Sequence, residues 1–325
     1  MPTEYRIAFW NVENLFDIEG SPRREEKVAR AIGADIAGWT QSLLDKKVSQ
    51  LSTIIRKMNN DTGPDLLGIC EVENKFVVDL LAQSLAPLGR NYKVVHHDTQ
   101  DKRGIDVAFI YDANKLTVPE PLDKNVFSHF VLRRTATRDL VQVTFRTARG
   151  RDLIVIGNHW PSRSGGQAES AAYRAMAGET LSYFHERVME IHGDKTPVLA
   201  LGDFNDEPFD AAVSDYALGT RSADKVISGR NPYFQNLMWP LMGKGLGSFY
   251  FDGPNLLDQI LVNKNFLKPD SIFSIKKNSA NVLQLAPMVD KKGPRPIPFG
   301  GMGKTLNQNG FSDHFPVEVT IVEAD

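Results

Sequence analysis

Near the C-terminal end of this chain, Ser312-Asp313-His314-Phe315-Pro316 sets a carboxylate beside an imidazole. Upstream, the apolar run Val198-Leu199-Ala200-Leu201 empties through Gly202 into Asp203-Phe204-Asn205. Oxygen-bearing side chains of this kind suit a hard divalent cation, and an imidazole beside them can hold or move a proton near neutral pH. Together the two segments suggest metal-assisted phosphate chemistry.

Other polar residues stand at the ends of apolar runs in the same way: Asn11, Glu71, His159 and Asp258. Mg²⁺ and Mn²⁺ take one or two carboxylates and fill their remaining positions with waters and phosphate oxygens. Glu71, Asp313 and the Asp203/Asn205 pair, with Asn11 nearby, would supply that shell if the runs converge. Zinc would favour closely spaced His and Cys, and no such cluster is legible. His159 and His314 could each activate water or donate to a developing phosphorane oxygen, or serve as hydrogen-bonded structural residues. Asp258, just ahead of Gln259-Ile260-Leu261-Val262, reads either as a turn residue or as the group that orients a catalytic histidine. In Asp101-Lys102-Arg103-Gly104-Ile105-Asp106, Arg103 could reach a phosphate and Asp106 could pair with His159, with surface pairing the competing reading for both. Arg163, on the Pro-stiffened turn after His159, is a second candidate phosphate contact. The aromatics of 231–251 could stack on bases or sugars, or simply pack.

These residues need a scaffold that brings distant segments to one edge. Apolar runs at Tyr5 to Trp10, Leu66 to Cys70, Leu153 to Gly157 and Val198 to Leu201 read as buried strands whose C-terminal ends deliver polar groups. Further strands are expected at Asp106 to Tyr111, Leu140 to Thr147, Leu257 to Val262 and Phe315 to Val322. Three- and four-residue apolar spacing predicts helices near Val48 to Met58, Val77 to Leu85 and Ala168 to Ile191. The mixture implies an α/β sandwich richer in strands than helices. Residues 17–38 read as a loop with a short helix, and 286–310, dense in Pro, Gly, Lys and Asn, as a long loop insertion, either a substrate lid or a disordered insert. No repeat or linker divides residues 1–325, so a single catalytic domain is expected.

Composition narrows the partners. The 325 residues are 42% hydrophobic and 24% charged, enough for a sizeable core, and the net charge of -2 argues against holding nucleic acid by global basicity. Basic pairs at Arg133-Arg134, Lys276-Lys277 and Lys291-Lys292 read as solvated surface. The single cysteine, Cys70, excludes an internal disulfide and reads as core. With no basic-then-apolar leader and no bilayer-length apolar run, the expectation is a soluble cytoplasmic chain without stable membrane association, secreted only if a leader has been removed.

Seven segments, in order, resemble motifs of the endonuclease/exonuclease/phosphatase superfamily, the group with the deoxyribonuclease-I-like fold: Phe9-Trp10-Asn11-Val12-Glu13-Asn14, Gly68-Ile69-Cys70-Glu71-Val72, Arg103-Gly104-Ile105-Asp106-Val107-Ala108, Asn158-His159-Trp160-Pro161-Ser162, Gly202-Asp203-Phe204-Asn205, Leu257-Asp258-Gln259-Ile260-Leu261 and Ser312-Asp313-His314-Phe315-Pro316-Val317. The resemblance implies a four-layer sandwich of two packed mixed β-sheets flanked by helices, and Mg²⁺- or Mn²⁺-dependent hydrolysis of a phosphoester by in-line attack of water. By motif, Glu71 would be the principal metal ligand, with Asn11 and Asp313 near the ion. Asp203 and Asn205 would position or activate the water and bind phosphate. Asp258 would orient His314, the base or phosphate contact, and His159 would stabilise charge on the transferring phosphoryl group. Two departures stand out: Gln259 replaces a histidine common in relatives, and no tyrosine matches the one near the phosphate in abasic-site repair members. The expectation is therefore a nuclease, with nucleic acid as substrate. The alternatives are an enzyme for small or lipid-linked phosphoesters of the inositol phosphate or sphingomyelin type, and a catalytically inactive binding module.

Overall fold

A computed structural model describes residues 2–99, 101, 103–132 and 138–325. Arg133-Arg134 and Lys102 lie outside the described residues.

The apolar runs pair into two sheets. One has seven strands, ordered Phe273–Ile275, Val317–Glu323, Thr3–Leu15, Leu66–Val72, Asp106–Asp112 and Tyr92–His96, with Asn281–Val282 also joined to Val317–Glu323. The other has eight, ordered Gly219–Thr220, Phe234–Asn236, Asp258–Val262, Val198–Asp203, Asp152–His159, Leu140–Thr147 and Leu116–Thr117, with Val126–His129 also on Leu140–Thr147. Both mix parallel and antiparallel pairs.

The runs are continuous rather than alternating because both faces of each central strand are buried. Along Val198–Asp203, Leu199 and Leu201 enter the core between the sheets, while Val198 and Ala200 turn the other way to meet Leu181 and Val188 of the Gln167–His192 helix. On the first sheet, Leu44, Leu51, Ile54 and Ile55 of Gln41–Asp61 and Val77, Val78 and Leu81 of Lys75–Ser84 join the core. Layers of helix, sheet, sheet and helix result, as the motifs implied. Two glycines face the opposite sheet with no room for a side chain: a Cβ on Gly68 would lie 2.7 Å from Leu201 Cδ1, and one on Gly157 2.6 Å from Val107 Cγ1.

The expected helices form and begin earlier than expected, Lys75–Ser84 stopping one residue short of Leu85, and the regular backbone of Gln41–Asp61 is lost at Met58. The 17–38 segment carries the short Glu26–Ile32 helix, whose Val28 and Ile32 pack with Phe16, Trp39 and Phe299. The 286–310 excursion is not a loose insert. It buries Met288 and Phe299 fully, and isolated bridges fold it at Val289/Pro296 and Gly301/Lys304. Among the described residues no helix is long and apolar enough to cross a membrane. Of the basic pairs within view, Lys276 is tied to Glu4 at 2.6 Å, and Lys291 and Lys292 are exposed.

Candidate active site

Strand register alone sets out half of the site. In the second sheet, parallel pairing places His159 opposite Asp203, and antiparallel pairing places Asp203 opposite Asp258. Three reactive side chains thus form a row across three neighbouring strands. In the first sheet Asn11 pairs with Cys70, and the ladder to Asp106–Asp112 slips between Cys70 and Val72, at Glu71. Glu71 sits at φ 64°, Asn205 at φ 49°, Glu13 at φ 50° and Asn14 at φ 57°. Left-handed backbone costs a non-glycine residue roughly 1–2 kcal/mol, and its clustering at one strand edge marks where packing holds side chains in a required direction.

Side chains close the gap between the sheets. The Asn11 amide donates to Asp203 Oδ2 at 3.1 Å and reaches Glu71 Oε1 at 3.4 Å. His159 Nε2 stands 3.7 Å from Glu71 Oε1 and 3.9 Å from Asp203 Oδ2. Asn205 is folded back on Asp203, its backbone N–H donating to Oδ1 at 2.9 Å and its amide to Oδ2 at 3.1 Å. His314 Nδ1 lies 2.6 Å from Asp258 Oδ2, and its Nε2 faces Asp203 Oδ2 at 4.0 Å. That second gap has room for one oxygen atom bonded to both groups. His314 is held further by its own N–H on Ser312 Oγ (3.1 Å), by Trp10 Nε1 on its carbonyl (2.8 Å) and by the Phe249 ring, 4.8 Å between centroids.

These contacts sort the charges. Burial disfavours an imidazolium at His314, but Asp258, Asp203 and Asp313 outweigh it and push its pKa up to about 10. His159 goes the other way: burial first, then the charges of Arg138, Arg103 and His314, hold it well below the usual histidine range. Two histidines in one site are therefore an acid and a neutral ring. Asp203 is raised to about 7 by burial and by Asp258, against the pull of His314. Cys70 lies beneath, its thiol pushed up by burial and by Asp203 and Glu71, and is inert packing.

The donors fit a hard divalent ion. Glu71 keeps one carboxylate oxygen on the Asn14 N–H at 3.0 Å, while Oε1 has only the long contacts to Asn11 and His159. The free carboxylate oxygen stands beside Asp203 and the His159 imidazole, while Asn11 turns its amide N–H groups to both carboxylates and its Oδ1 to the Glu13 N–H at 3.0 Å, so Glu71 and Asp203 are the oxygens that could hold an ion. Asp203, Asp258 and His314 are also close enough to share an ion, but His314 Nδ1 is already committed to Asp258.

Several expected residues lie elsewhere in the arrangement. Asp313 faces the 286–310 loop and pairs with Lys304 Nζ at 3.0 Å. Arg163 spends its guanidinium on Asn205 O (2.6 Å), Asp206 (3.0 Å) and Asp210 (2.6 Å), bracing the loop after Asp203 from behind. The suggested Asp106–His159 pair does not form: Asp106 bonds the Thr99 hydroxyl at 2.6 Å and faces His96. Arg103 is exposed, close enough for its charge to depress His159. Gln259 is fully buried, donating to Asp206 O at 2.6 Å and accepting from Asn236 at 2.6 Å, so it supports the same loop. Of the aromatic stretch, Phe249 abuts His314 while Phe251 projects at 73% exposure from the adjoining Phe249–Tyr250/Pro254–Asn255 hairpin.

Four contributors were not foreseen. Buried Glu13 accepts the Phe299 N–H at 2.7 Å and draws in Lys304 (3.7 Å) and fully buried Lys47 (3.9 Å). Burial drops Lys47 to about 8 despite Glu13, Asp313 and Glu71, and its ammonium caps Phe311 O at 2.9 Å. Buried Arg138 reaches Trp160 O at 3.4 Å and Asp101 at 3.6 Å. A signal existed for Lys47, a lysine inside the apolar stripe Leu44, Val48, Leu51.

A family profile described as Endonuclease/Exonuclease/phosphatase family matches residues 6–323. The chain belongs to that family, whose members are phosphoester hydrolases. Solved structures agree on the fold. An endonuclease/exonuclease/phosphatase family protein from Bacteroides thetaiotaomicron superposes with a TM-score of 0.58 at 15% identity, covering 100% of both chains. TDP2 of D. rerio, complexed with a single-strand DNA product, gives 0.59 at 14% identity over 98% of this chain and 99% of its own. The mannosyl-6-phosphatase of B. thetaiotaomicron VPI-5482 gives 0.55 at 15% identity over 98% and 100%. No curated protein sequence matches the chain.

Proposed function

We propose that the chain is a Mg²⁺- or Mn²⁺-dependent phosphodiesterase that hydrolyses nucleic-acid phosphodiester bonds by in-line attack of water. The observation that carries this reading is the meeting of Glu71 and Asp203 through the Asn11 amide, with a charged His314–Asp258 pair alongside. A divalent ion at Glu71 would neutralise charge on the transferring phosphoryl group. Asp203, fixed by Asn205 and Asn11, is the group placed to hold or accept the proton of an attacking water. The His314 imidazolium, its tautomer and direction set by Asp258, presents Nε2–H to a phosphoryl oxygen. Neutral His159 can donate from Nε2 to another, and Arg138 adds positive potential from below. Arg163 acts through the Asn205 loop it braces, and the exposed Phe251 offers a face on which a base can stack. Relatives in fold include a protein bound to single-strand DNA.

A second reading, hydrolysis of a small phosphoester, is favoured by the charge. The net charge is only -2, and Arg138 and Arg163 are already engaged within the protein. A mannosyl-6-phosphatase shares the fold. A Mg²⁺/Mn²⁺ activity panel on plasmid DNA, RNA, inositol phosphates and sphingomyelin tests both readings, with Glu71→Ala as control. Plasmid nicking lost in Glu71→Ala is expected. Hydrolysis of a small ester without nicking would replace the first reading by the second.

A further inference from the structure

We propose a second cation site, separate from the Glu71 centre, formed by His96, Asp98 and Asp106 at the outer edge of the first sheet and suited to a zinc-class divalent ion. Tyr92–His96 is the edge strand, and its ladder with Asp106–Asp112 ends with His96 opposite Ala108. His96 ends one strand, Asp106 begins its neighbour, and Asp98 stands two residues past His96. Each can offer a donor atom, and the three donors lie within 4.8 Å of one another.

The histidine supplies the independent sign of a ligand. Its side chain is only 2% exposed, and Nε2 has no hydrogen-bond partner among the described residues. A buried ring nitrogen without a partner costs on the order of 1–3 kcal/mol. Nε2 lies 3.2 Å from Asp106 Oδ2 without the alignment of a hydrogen bond. Two ligands of one ion stand in this relation: with metal bonds of about 2.1 Å, a separation of 3.2 Å closes at an angle of roughly 100°. Asp106 is prepared for such a role, because Thr99 fixes its other oxygen through the backbone N–H at 3.1 Å and the hydroxyl at 2.6 Å. Asp98, 66% exposed, offers a carboxylate oxygen within 4.8 Å of the other two donors and supplies the solvent side and the route of entry.

Charges around the cluster decide which cation fits. Arg23, Arg24 and Lys27 line the small cleft beside it, with Glu25 and Glu73. Cations at that distance oppose a purely electrostatic site, whereas an imidazole selects for the zinc class through the strength of its bond. Bound there, the ion would tie His96 and Asp98 to Asp106, close in sequence to Asp101, the partner of Arg138.

Chelator-treated protein carrying Glu71→Gln, titrated with Zn²⁺ by calorimetry and with Co²⁺ by visible absorption, isolates this site. One equivalent of Zn²⁺ and a Co²⁺ ligand-field band are expected to persist in Glu71→Gln. Adding His96→Gln should weaken Zn²⁺ binding at least 100-fold and abolish the band, and adding Thr99→Val should weaken it about 10- to 100-fold. Asp98→Asn, on an exposed side chain that leaves the fold intact, should weaken it at least tenfold. Failure of Glu71→Gln to bind Zn²⁺, or binding undiminished by both His96→Gln and Asp98→Asn, would overturn the site. Either result leaves the activity of the Glu71 centre to its own test.

Discussion

Replacing Asp258 by Asn isolates the role of one carboxylate. Asp258 is fully buried, and its Oδ2 meets His314 Nδ1 at 2.6 Å, a charge-assisted contact. The three carboxylates around His314 lift its pKa from 6.5 to about 10, with Asp258 the largest of them. A buried hydrogen bond to a charged group contributes about 2–3 kcal/mol, so its loss should lower kcat/KM roughly 30- to 150-fold. Manganese-dependent hydrolysis of bis-p-nitrophenyl phosphate, followed at 400 nm on protein whose circular dichroism is unchanged, reads this directly. His314→Gln should cost a similar factor, and the double variant little more, since the two residues act as a unit. Full activity in Asp258→Asn, or losses that multiply in the double variant, would refute the relay.

Two further perturbations separate electrostatics from packing. If Asp313 shared in holding the cation, as the motifs imply, Lys304 would compete for it at 3.0 Å, and because Lys304 is 56% exposed the pair is worth no more than about 1 kcal/mol. Lys304→Met should therefore tighten Mn²⁺ binding up to about fivefold by calorimetry, and weaker binding would contradict a shared Asp313. Far from the site, His185 is stacked on Phe234, and burial lowers its pKa to about 3. The unfolded chain takes up a proton near 6.5 that the folded chain refuses, so stability is complete above 6.5 and declines as pH falls from 6.5 toward 3. At pH 5 the loss from His185 is about 2 kcal/mol, and urea unfolding at pH 7.5 and 5 should show a pH-dependent loss smaller by that amount in His185→Leu than in the wild type.

The fold was legible because its strands are long apolar runs, and the site because each run ends in a polar residue aimed at one edge. His159, Asp203 and Asp258 needed only correct register to meet. What escaped the sequence was partner choice. Asp106 is in the expected strand, but Thr99, seven residues before it, bonds it through its backbone N–H and hydroxyl and fixes it away from His159. Arg163 follows His159 as expected, yet Asp206 and Asp210, forty residues on, return beneath it and take its guanidinium. Glycine- and proline-rich composition made 286–310 look loose, because the buried groups that meet Phe299 within it, Glu13 at its N–H and Lys47 over its ring, belong to distant segments. Left-handed backbone at Glu71 had no sequence mark, since glycine is the residue that advertises it.

The central claim is that a divalent ion is held at the Glu71 carboxylate of one sheet, beside Asp203 of the other. An anomalous difference map from crystals soaked in Mn²⁺ tests it most directly. A peak within bonding distance of the Glu71 carboxylate, on the side facing Asn11 and Asp203, is the expected result. Density absent from Glu71 at saturating Mn²⁺ would contradict the account.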